Sequence, residues 1–375
     1  MHCISLRAIA LPLAAALLAA CGGDSGNAGN ESATPGAMQQ AGDGETVALT
    51  GAGATFPFPI YSKWFNEYGK EHPVRVNYQS IGSGGGIRQI TEGTVDFGAS
   101  DAPMNEEELA KAPGILHLPT VLGAVAVTYN LLDVPAGLKL DGQTVADIFL
   151  GTIERWNDPR IARLNPGVTL PAQDILPVYR TDGSGTTYVF TDYLAAVSPA
   201  WKQRVGTGKT VQWPTGLGAK GNEGVAGQVR QTPGAVGYVE LAYANQTQLP
   251  TAALRNRAGQ FVQPSVAATS AAAADLTEKL RQHPDFRLSL VDPAGQGAYP
   301  IASWTYLLVP SNIADCGKAR AIDELVRWSL QQGDAYAREL DYAPLPENAK
   351  QQVLEKLATV SCGPNRQPVQ GAGAA

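Results

Sequence analysis

The stretch VYRTDGSGTTYVF, residues 178–190, joins three local patterns that together indicate the fold. An apolar segment that suits a strand ends at Arg180, a turn rich in glycine and hydroxyl residues follows, and an apolar segment with helical spacing comes directly after it. A helix start exposes unpaired N–H groups and the positive end of the helix dipole. Glycine lets an anion approach the backbone closely. The stretch therefore predicts a strand–turn–helix unit with a candidate oxyanion site at the helix start.

Two further stretches repeat this pattern, GAGATFPFPIY at 51–61 and IGSGGGIRQI at 81–90. In all three, hydroxyl residues lie where a helix is predicted to begin: Thr55, Ser83, Ser184, Thr186 and Thr187. Serine and threonine are also ordinary helix caps, so a single stretch has a purely structural explanation. Three of them in one chain, with a charged pair beside the third, favour convergence on one oxyanion. None contains a Walker phosphate loop or the spacing of a dinucleotide-binding loop.

From residue 47 onward, short apolar strands alternate with amphipathic helices, which predicts α/β layers with largely parallel sheets. The segment IERWND at 153–158 is among the predicted helices. Two unusually long apolar runs, near 121–130 and 300–309, are predicted to be paired strands that cross between two domains. Each domain is then discontinuous in sequence.

Composition limits the class of protein. The chain has 375 residues, enough for two domains with full cores, and 44% of them are hydrophobic while 17% are charged. The net charge of -6, without long basic runs, argues against a nucleic-acid partner. Any anion site must therefore be built from local groups and not from long-range attraction.

The N-terminus is predicted to be a targeting segment. Residues 1–20 contain Arg7, an apolar run and small residues, as in a secretory signal peptide. The ending LAAC resembles the lipobox of bacterial lipoproteins, so we expect Cys21 to carry a lipid; the alternative is an ordinary signal peptide with a chance cysteine. Residues 21–46, rich in Gly, Ser, Asn and Ala, are predicted to be the lipidated N-terminus and a flexible tether.

The remaining cysteines in the exported part, Cys316 and Cys362, are predicted to form a disulfide. The alternative is two buried free thiols. The chain has four histidines and none lies near these cysteines at metal-ligand spacing, so we expect no metal site and no cofactor.

Several long motifs, in order along the chain, resemble those of the substrate-binding protein of the bacterial high-affinity phosphate ABC transporter. They are GAGATFPFPIYSKWF, NYQSIGSGGGIRQI, TVDFGASDAPM, RTDGSGTTYVFTDYL, VGTGKTVQWPTGLGAKGNEGVAGQV and PGAVGYVELAYA. The resemblance runs from about residue 47 to about residue 350. It implies a two-domain α/β periplasmic binding protein, type II-like, with two hinge strands and the ligand in the cleft between the domains. With the two long strands as hinges, domain I is expected at 47–123 plus 303–365 and domain II at 124–302.

The resemblance also implies roles for individual residues, motif by motif. The expected phosphate-binding residues are Thr55, Phe56 through its backbone N–H, Ser83, Asp101, Arg180, Ser184, Gly185 and Thr186. Asp182 is expected to pair with Arg180. Gly84 stands where many members of the family have serine.

The chemistry of phosphate explains why these residue types are expected. Phosphate near neutral pH still carries a proton, because its second pKa is about 6–7. An ionised Asp101 offers only acceptors, so it can accept that proton but repels fully ionised sulfate. Arg180 supplies a forked set of donors. The structural alternatives are that Asp101 caps the following helix and that Arg180 and Asp182 form a surface ion pair.

We therefore expect a lipid-anchored receptor in the periplasm or cell envelope that binds phosphate and delivers it to a transporter with two permease subunits and an ATPase dimer. One alternative is an exported phosphatase, which would need a nucleophile activated by a base, or a metal cluster. Ser184 has no evident histidine partner, since His72, His117 and His283 lie outside the motifs. Another alternative is a phosphate-binding surface protein, an adhesin or a sensor, built on the same fold.

Overall fold

The computed structural model describes residues 46–274, 280 and 282–369. The predicted signal segment, Cys21 and the tether up to residue 45 lie outside the described residues. Among the helices that the structure describes, none is long and apolar enough to cross a membrane.

Helices and strands alternate along the described chain, as the sequence predicts. The first part contains β1 (Val47–Gly53), α1 (Phe58–Glu71), β2 (Val74–Ser80), α2 (Ser83–Thr91), β3 (Phe97–Ser100), α3 (Glu106–Lys111) and β4 (Ile115–Tyr129). The middle part contains β5 (Lys139–Leu140), α4 (Gly142–Phe149), α5 (Pro159–Leu164), β6 (Leu176–Arg180), α6 (Gly185–Val197), α7 (Pro199–Arg204), β7 (Leu217–Ala219), α8 (Gly221–Gln231), β8 (Ala235–Glu240), α9 (Leu241–Gln246), β9 (Ala253–Arg255), β10 (Phe261–Val262) and α10 (Val266–Ala273). The last part contains β11 (Ala302–Pro310), β12 (Asn312–Ile313), α11 (Cys316–Gln331), α12 (Asp334–Glu339), β13 (Ala343–Pro344), α13 (Glu347–Leu357), β14 (Ser361–Cys362) and β15 (Gln367–Pro368).

The main sheet of the described chain has the strand order β2-β1-β3-β11-β4-β8-β6-β7, with β13 added against β4. Its two outer parts are parallel: β1 pairs with β2 and β3, and β6 pairs with β7 and β8. Its centre is antiparallel, where β11 pairs with β3 and β4, and β4 pairs with β8. The predicted α/β class is confirmed, while the sheet is more mixed than the largely parallel one expected.

The long strand β4 connects the two outer parts of the sheet. Residues 115–124 of β4 pair with β11, and residues 125–129 pair with β8. Thirteen of its fifteen residues are buried, because both faces of the strand are covered. The exchange of partners between Ala124 and Val125 coincides with the predicted crossing; the domain boundaries stay a prediction.

The predicted helix at 153–158 is wrong. That segment is irregular, and α5 begins only at Pro159, after Asp158 caps it by accepting from Arg160 N. The backbone of Trp156 is used elsewhere, because its N–H donates to Gln173 O at 3.0 Å. Asp followed by Pro is a helix-start signal, and it outweighs the weak helical spacing of the preceding residues.

Near the C-terminus, Cys316 at the start of α11 and Cys362 in β14 form a disulfide with an S–S distance of 2.04 Å. The two residues are 46 apart in sequence. Closing a loop of that length lowers the conformational entropy of the unfolded chain. In the chain-entropy account this stabilises the folded protein by about 4 kcal/mol. The bond fastens the last described strands to the helix α11.

Candidate functional site

The candidate site lies where the carboxyl ends of the parallel strands meet, which is the usual ligand position in open α/β sheets. We call the loops after β1, β2 and β3 the first side of the cleft; they carry Thr55, Ser83 and Asp101. We call the loops after β6 and β7 the second side; they run from Arg180 to Gly185 and from Lys220 to Asn222. All eight residues predicted to bind the anion are buried.

On the first side, two tyrosine hydroxyls fix the loop that follows β1. Tyr243 Oη donates to Thr55 O and Tyr342 Oη donates to Phe56 O, each at 2.6 Å. Both phenols come from distant parts of the chain, and both are buried. The peptide groups of Thr55 and Phe56 therefore have a fixed orientation, which a backbone donor to an anion requires.

On the second side, Arg180 and Asp182 form a forked ion pair. Arg180 Nε donates to Asp182 Oδ1 at 2.8 Å, Nη2 donates to Oδ2, and Gly221 N donates to Oδ1 at 3.1 Å. The Arg180 side chain is only 1% exposed, so the alternative of a surface ion pair is wrong. Burial opposes ionisation of both groups, yet their hydrogen bonds lower the pKa of Asp182 and raise the pKa of Arg180. The pair is thus charged, and the free edge of the guanidinium points toward Thr186 Oγ1 at 3.4 Å.

The two sides of the cleft touch through glycine backbone. Gly84 N donates to Gly183 O at 2.8 Å, and a Cβ on Gly84 would lie 3.2 Å from Gly183 Cα. A Cβ on Gly185 would lie 2.6 Å from both Ser83 Oγ and Asp101 Oδ2. The glycines predicted from the motifs are therefore needed for close approach of the two sides, and a serine at position 84 would crowd Gly183 here.

Ser83 shows how the site orients its hydroxyl protons. Its Oγ accepts from Gly185 N at 3.0 Å and from Asp101 N at 3.3 Å. A serine hydroxyl has one donor and two acceptor positions. Because both acceptor positions are filled, the remaining capacity of Ser83 is to donate. Ser184 is also held, since its Oγ caps α6 by accepting from Thr187 N at 3.0 Å.

Asp101 is the acceptor among these donors. Its Oδ1 accepts from Thr305 Oγ1 at 3.0 Å. Burial raises the pKa of Asp101 to about 7, although the Thr305 hydrogen bond and the Arg180 charge counteract part of the effect. The carboxyl is thus about half ionised near neutral pH, and its ionised form is the one expected to accept the proton of phosphate. The alternative that Asp101 caps α3 is wrong, because Asn105 Oδ1 is the cap and accepts from Glu108 N.

Sequence reasoning gave no role to four residues that the structure brings to the site. They are Asn222, Tyr243, Thr305 and Tyr342. Asn222 had a detectable signal, because the stretch LGAKGNEGVAG at 217–227 is a further strand–glycine–helix junction. The other three lie outside the motif turns, and only the tertiary fold brings them there.

No group of three or more His, Cys, Asp and Glu side chains within the described residues could hold a metal ion. His117 Nε2 accepts from Met104 N at 3.0 Å, and burial lowers the pKa of this histidine to about 4. What the arrangement offers is a set of N–H and O–H donors, one guanidinium and one carboxyl acceptor, which suits a tetrahedral oxyanion carrying one proton.

Comparison with known proteins agrees with this chemistry. Residues 30–331 match the model of the PBP superfamily domain. The chain is 47% identical to the phosphate-binding protein PstS of Pasteurella multocida (strain Pm70) over 316 residues, which cover 84% of this chain and 91% of that protein. It is 45% identical to PstS of Xylella fastidiosa (strain Temecula1), covering 86% of this chain and 87% of that one.

A solved structure extends the comparison to the fold. A high-affinity periplasmic phosphate-binding protein, PfluDING, bound with phosphate, matches with a TM-score of 0.66 over 82% of this chain and 93% of its own, at 22% sequence identity. At that identity the likeness shows the fold, which is the two-domain architecture expected.

Proposed function

This chain belongs to the PBP superfamily and, within it, to the phosphate-binding proteins of the PstS type, and we propose from this membership that it binds inorganic phosphate for import by a phosphate ABC transporter. The relatives are named as binding proteins and not as enzymes. The observation that carries the proposal is the carboxyl acceptor Asp101, buried among N–H and O–H donors. This donor and acceptor set matches a protonated oxyanion.

The proposed ligand contacts are the eight residues predicted from the motifs. They are Thr55, Phe56, Ser83, Asp101, Arg180, Ser184, Gly185 and Thr186, with Asp182 as the group that orients Arg180. The fixed loop of the first side and the forked pair of the second support this assignment. Gly185 N donates to Ser83 Oγ at 3.0 Å, which brings two of the proposed contacts, one from each side, next to each other.

Selection of phosphate over sulfate rests on proton exchange at Asp101. The ionised carboxylate accepts the P–OH proton, whereas sulfate brings no proton and meets a like charge. A site that needs one hydrogen bond rejects an analogue without it by about 10⁴–10⁵-fold. Arsenate also carries a proton near neutral pH, so we expect it to compete.

Delivery to the transporter is proposed to use a hinge. Residues 47–123 plus 303–365 and residues 124–302 form the two proposed domains, and β4 and β11 are the proposed hinge strands. The proposed partner is a transporter of two permease subunits and an ATPase dimer. Opening at the hinge would separate the two sides of the cleft and release the anion.

The N-terminal proposals concern the residues that precede the described chain. We propose that residues 1–20 are a cleaved signal peptide and that Cys21 carries the lipid, which places the protein at a membrane of the periplasm or cell envelope. Exchange of Cys21 for serine is expected to move the protein from the detergent phase to the aqueous phase in a detergent-partition experiment. An unchanged partition would contradict the lipid anchor.

Calorimetric titration tests the function directly. The protein, freed of bound anion, is titrated with phosphate and then again in excess sulfate. We expect one phosphate per chain and no competition by sulfate at pH 8. Absence of phosphate binding, or turnover of a phosphomonoester that Ser184→Ala abolishes, would overturn the proposal.

A further inference from the structure

One buried amide, Asn222, connects the two sides of the cleft. It lies in the first turn of α8 and its relative exposure is 0%. Its Nδ2 donates to Thr55 Oγ1 at 2.7 Å and to Thr186 Oγ1 at 3.1 Å. Its backbone N–H donates to Thr55 Oγ1 as well, at 3.1 Å. One residue of the second side thus holds a hydroxyl of the first side with two donors.

The orientation of this amide is determined by its fourth contact. Asn222 Oδ1 accepts from Glu240 N at 2.9 Å. A backbone N–H can only donate, so the oxygen of the amide must face Glu240 and the nitrogen must face the two threonines. The end of β8 therefore fixes which atoms of Asn222 point into the site.

The contacts of Asn222 leave the hydroxyls of Thr55 and Thr186 able to donate a hydrogen bond but not to accept another. Thr55 Oγ1 accepts two N–H groups, both from Asn222. Thr186 Oγ1 accepts one from Asn222 and one from Arg180 Nη1, at 3.4 Å. With two acceptor positions filled on each oxygen, each hydroxyl proton is free only to donate. Ser83 reaches the same condition through other donors, so three hydroxyls in the site are held as donors.

We propose that Asn222 is a positioning residue that directs the hydroxyl protons of Thr55 and Thr186 toward the anion and also holds the two sides of the cleft together. The inference rests on the proposed phosphate-binding function and adds a residue to which the family resemblance assigned no role. Two of its hydrogen bonds cross from the second side to the first and exist only while the sides are in contact. Asn222 therefore slows release of the anion more than it speeds capture.

Three substitutions separate these effects. Asn222→Ala removes the donors at Nδ2 and leaves Glu240 N without its acceptor. Asn222→Ser keeps a small polar group, so the buried site should accommodate it better than alanine. Asn222→Asp is nearly isosteric but places an acceptor and a negative charge against Thr55 and Thr186, so their protons turn away from the anion. All three are compared with wild type for Kd by calorimetry and for koff by stopped-flow release of phosphate.

Asn165 is a matched control. It is buried, its Oδ1 accepts from Lys139 N, and its Nδ2 donates to Lys139 O and Ile161 O, so it joins β5 to α5 in the way that Asn222 joins the two sides. Asn165→Ala is expected to lower the melting temperature and leave Kd unchanged. It reports the effect of losing a buried amide without touching the site.

We expect Asn222→Ala to raise the Kd for phosphate by about 10- to 100-fold, because two or three neutral hydrogen bonds are lost. The rise should come mainly from a faster koff. Asn222→Asp is expected to raise the Kd further, and Asn222→Ser less. The inference would be overturned if wild type binds phosphate and the Kd values of Asn222→Ala and Asn222→Ser stay within about twofold of the wild-type Kd. A loss of affinity confined to kon, or an equal loss of affinity in Asn165→Ala, would also overturn it. Wild type that binds no phosphate would instead overturn the proposed function.

Discussion

The two sides of the cleft use the same local pattern of strand, glycine turn and helix, yet each carries an aspartate in a different condition. Asp182 on the second side receives the forked bonds of Arg180 and the N–H of Gly221, and its pKa lies below the ordinary value although burial opposes this. Asp101 on the first side receives a hydroxyl bond from Thr305, and burial raises its pKa to about 7. The partner of each carboxyl, and not the residue type, decides whether it serves as a fixed charge or as a proton acceptor.

In the proposed binding mode, this difference gives the two sides different parts in anion binding. The second side supplies the guanidinium and N–H donors, and some of those N–H groups occupy the acceptor positions of hydroxyls on the first side. In the proposed binding mode, the first side supplies the carboxyl that accepts the proton of the ligand. Substitutions that remove this difference between the two sides should therefore change the affinity for phosphate and the discrimination against sulfate separately.

The largest effect is expected from Asp101→Asn, which removes the proposed proton acceptor from the first side. Dependence on one hydrogen bond gives a discrimination of about 10⁴–10⁵-fold, and we expect most of that factor to disappear as sulfate gains affinity. Arsenate should still compete as it does with wild type. The ratio of sulfate to phosphate Kd, measured by calorimetry, reports the change.

Asp192→Asn is the control for this variant. Asp192 lines the same small cavity as Asp101, accepts from Ser289 Oγ at 2.6 Å, and also has a pKa raised by burial. It should leave discrimination unchanged. Full rejection of sulfate by Asp101→Asn would show that the carboxyl does not select by proton acceptance.

Arg180→Ala changes the second side by leaving Asp182 without its cation. The variant also removes the proposed cation partner of phosphate, and truncating one partner of a buried charge pair across a binding interface costs about 2–5 kcal/mol, so phosphate Kd should rise by tens- to thousands-fold. Arg180→Lys should recover little, because a lysine cannot form the fork. Sulfate and phosphate should lose affinity alike, since this side does not test for the proton.

Arg160 provides the matched control for Arg180. It forms a similar fork with a neighbouring aspartate, donating from Nε to Asp158 Oδ1 at 3.0 Å and from Nη2 to Asp158 Oδ2 at 2.9 Å. Its side chain is 39% exposed, in contrast to that of Arg180. Arg160→Ala should leave phosphate binding unchanged. A similar loss from both arginines would mean that Arg180 acts through folding alone.

A change of pH sharpens the contrast without any mutation. Because burial raises the pKa of Asp101 to about 7, this carboxyl is protonated below that pH and ionised above it, while Asp182 stays ionised. Protonated Asp101 can donate to sulfate, and ionised Asp101 repels it. Sulfate does not titrate in this range, so its affinity should fall by roughly 30-fold between pH 5.5 and 8.5. Asp101→Asn should show a flat profile, and a pH-dependent profile in that variant would assign the titration to another group.

The residues of the site were predictable where they lie in local strand–turn–helix units, and not where they arrive from elsewhere in the fold. Ser83 and Arg180 stand beside glycine turns whose conformation the sequence itself indicates. Thr305 lies within β11, and only the antiparallel pairing of that strand with β3 brings it to Asp101. The near-neutral pKa of Asp101 likewise follows from burial that no local pattern reveals. The prediction of a helix at 153–158 was wrong because the helical spacing there is short and the last residue of the segment, Asp158, is the cap of the helix that follows.

The smallest expected effect concerns ion pairs at the rim of the cleft. Helix α3, which follows β3, presents Glu108, whose Oε2 lies 2.6 Å from Nζ of Lys209 in the segment between α7 and β7. Both side chains are partly exposed, and such pairs contribute about 0.2–1 kcal/mol, so Lys209→Gln should speed phosphate release by no more than about fivefold. Salt should weaken the wild-type contact and so reduce the difference between wild type and variant. Lys111→Gln, which removes a pair with Glu107 within α3 itself, is the control and should not change koff. Equal release rates for wild type and Lys209→Gln at low salt would show that closure depends on the buried contacts of the two sides alone.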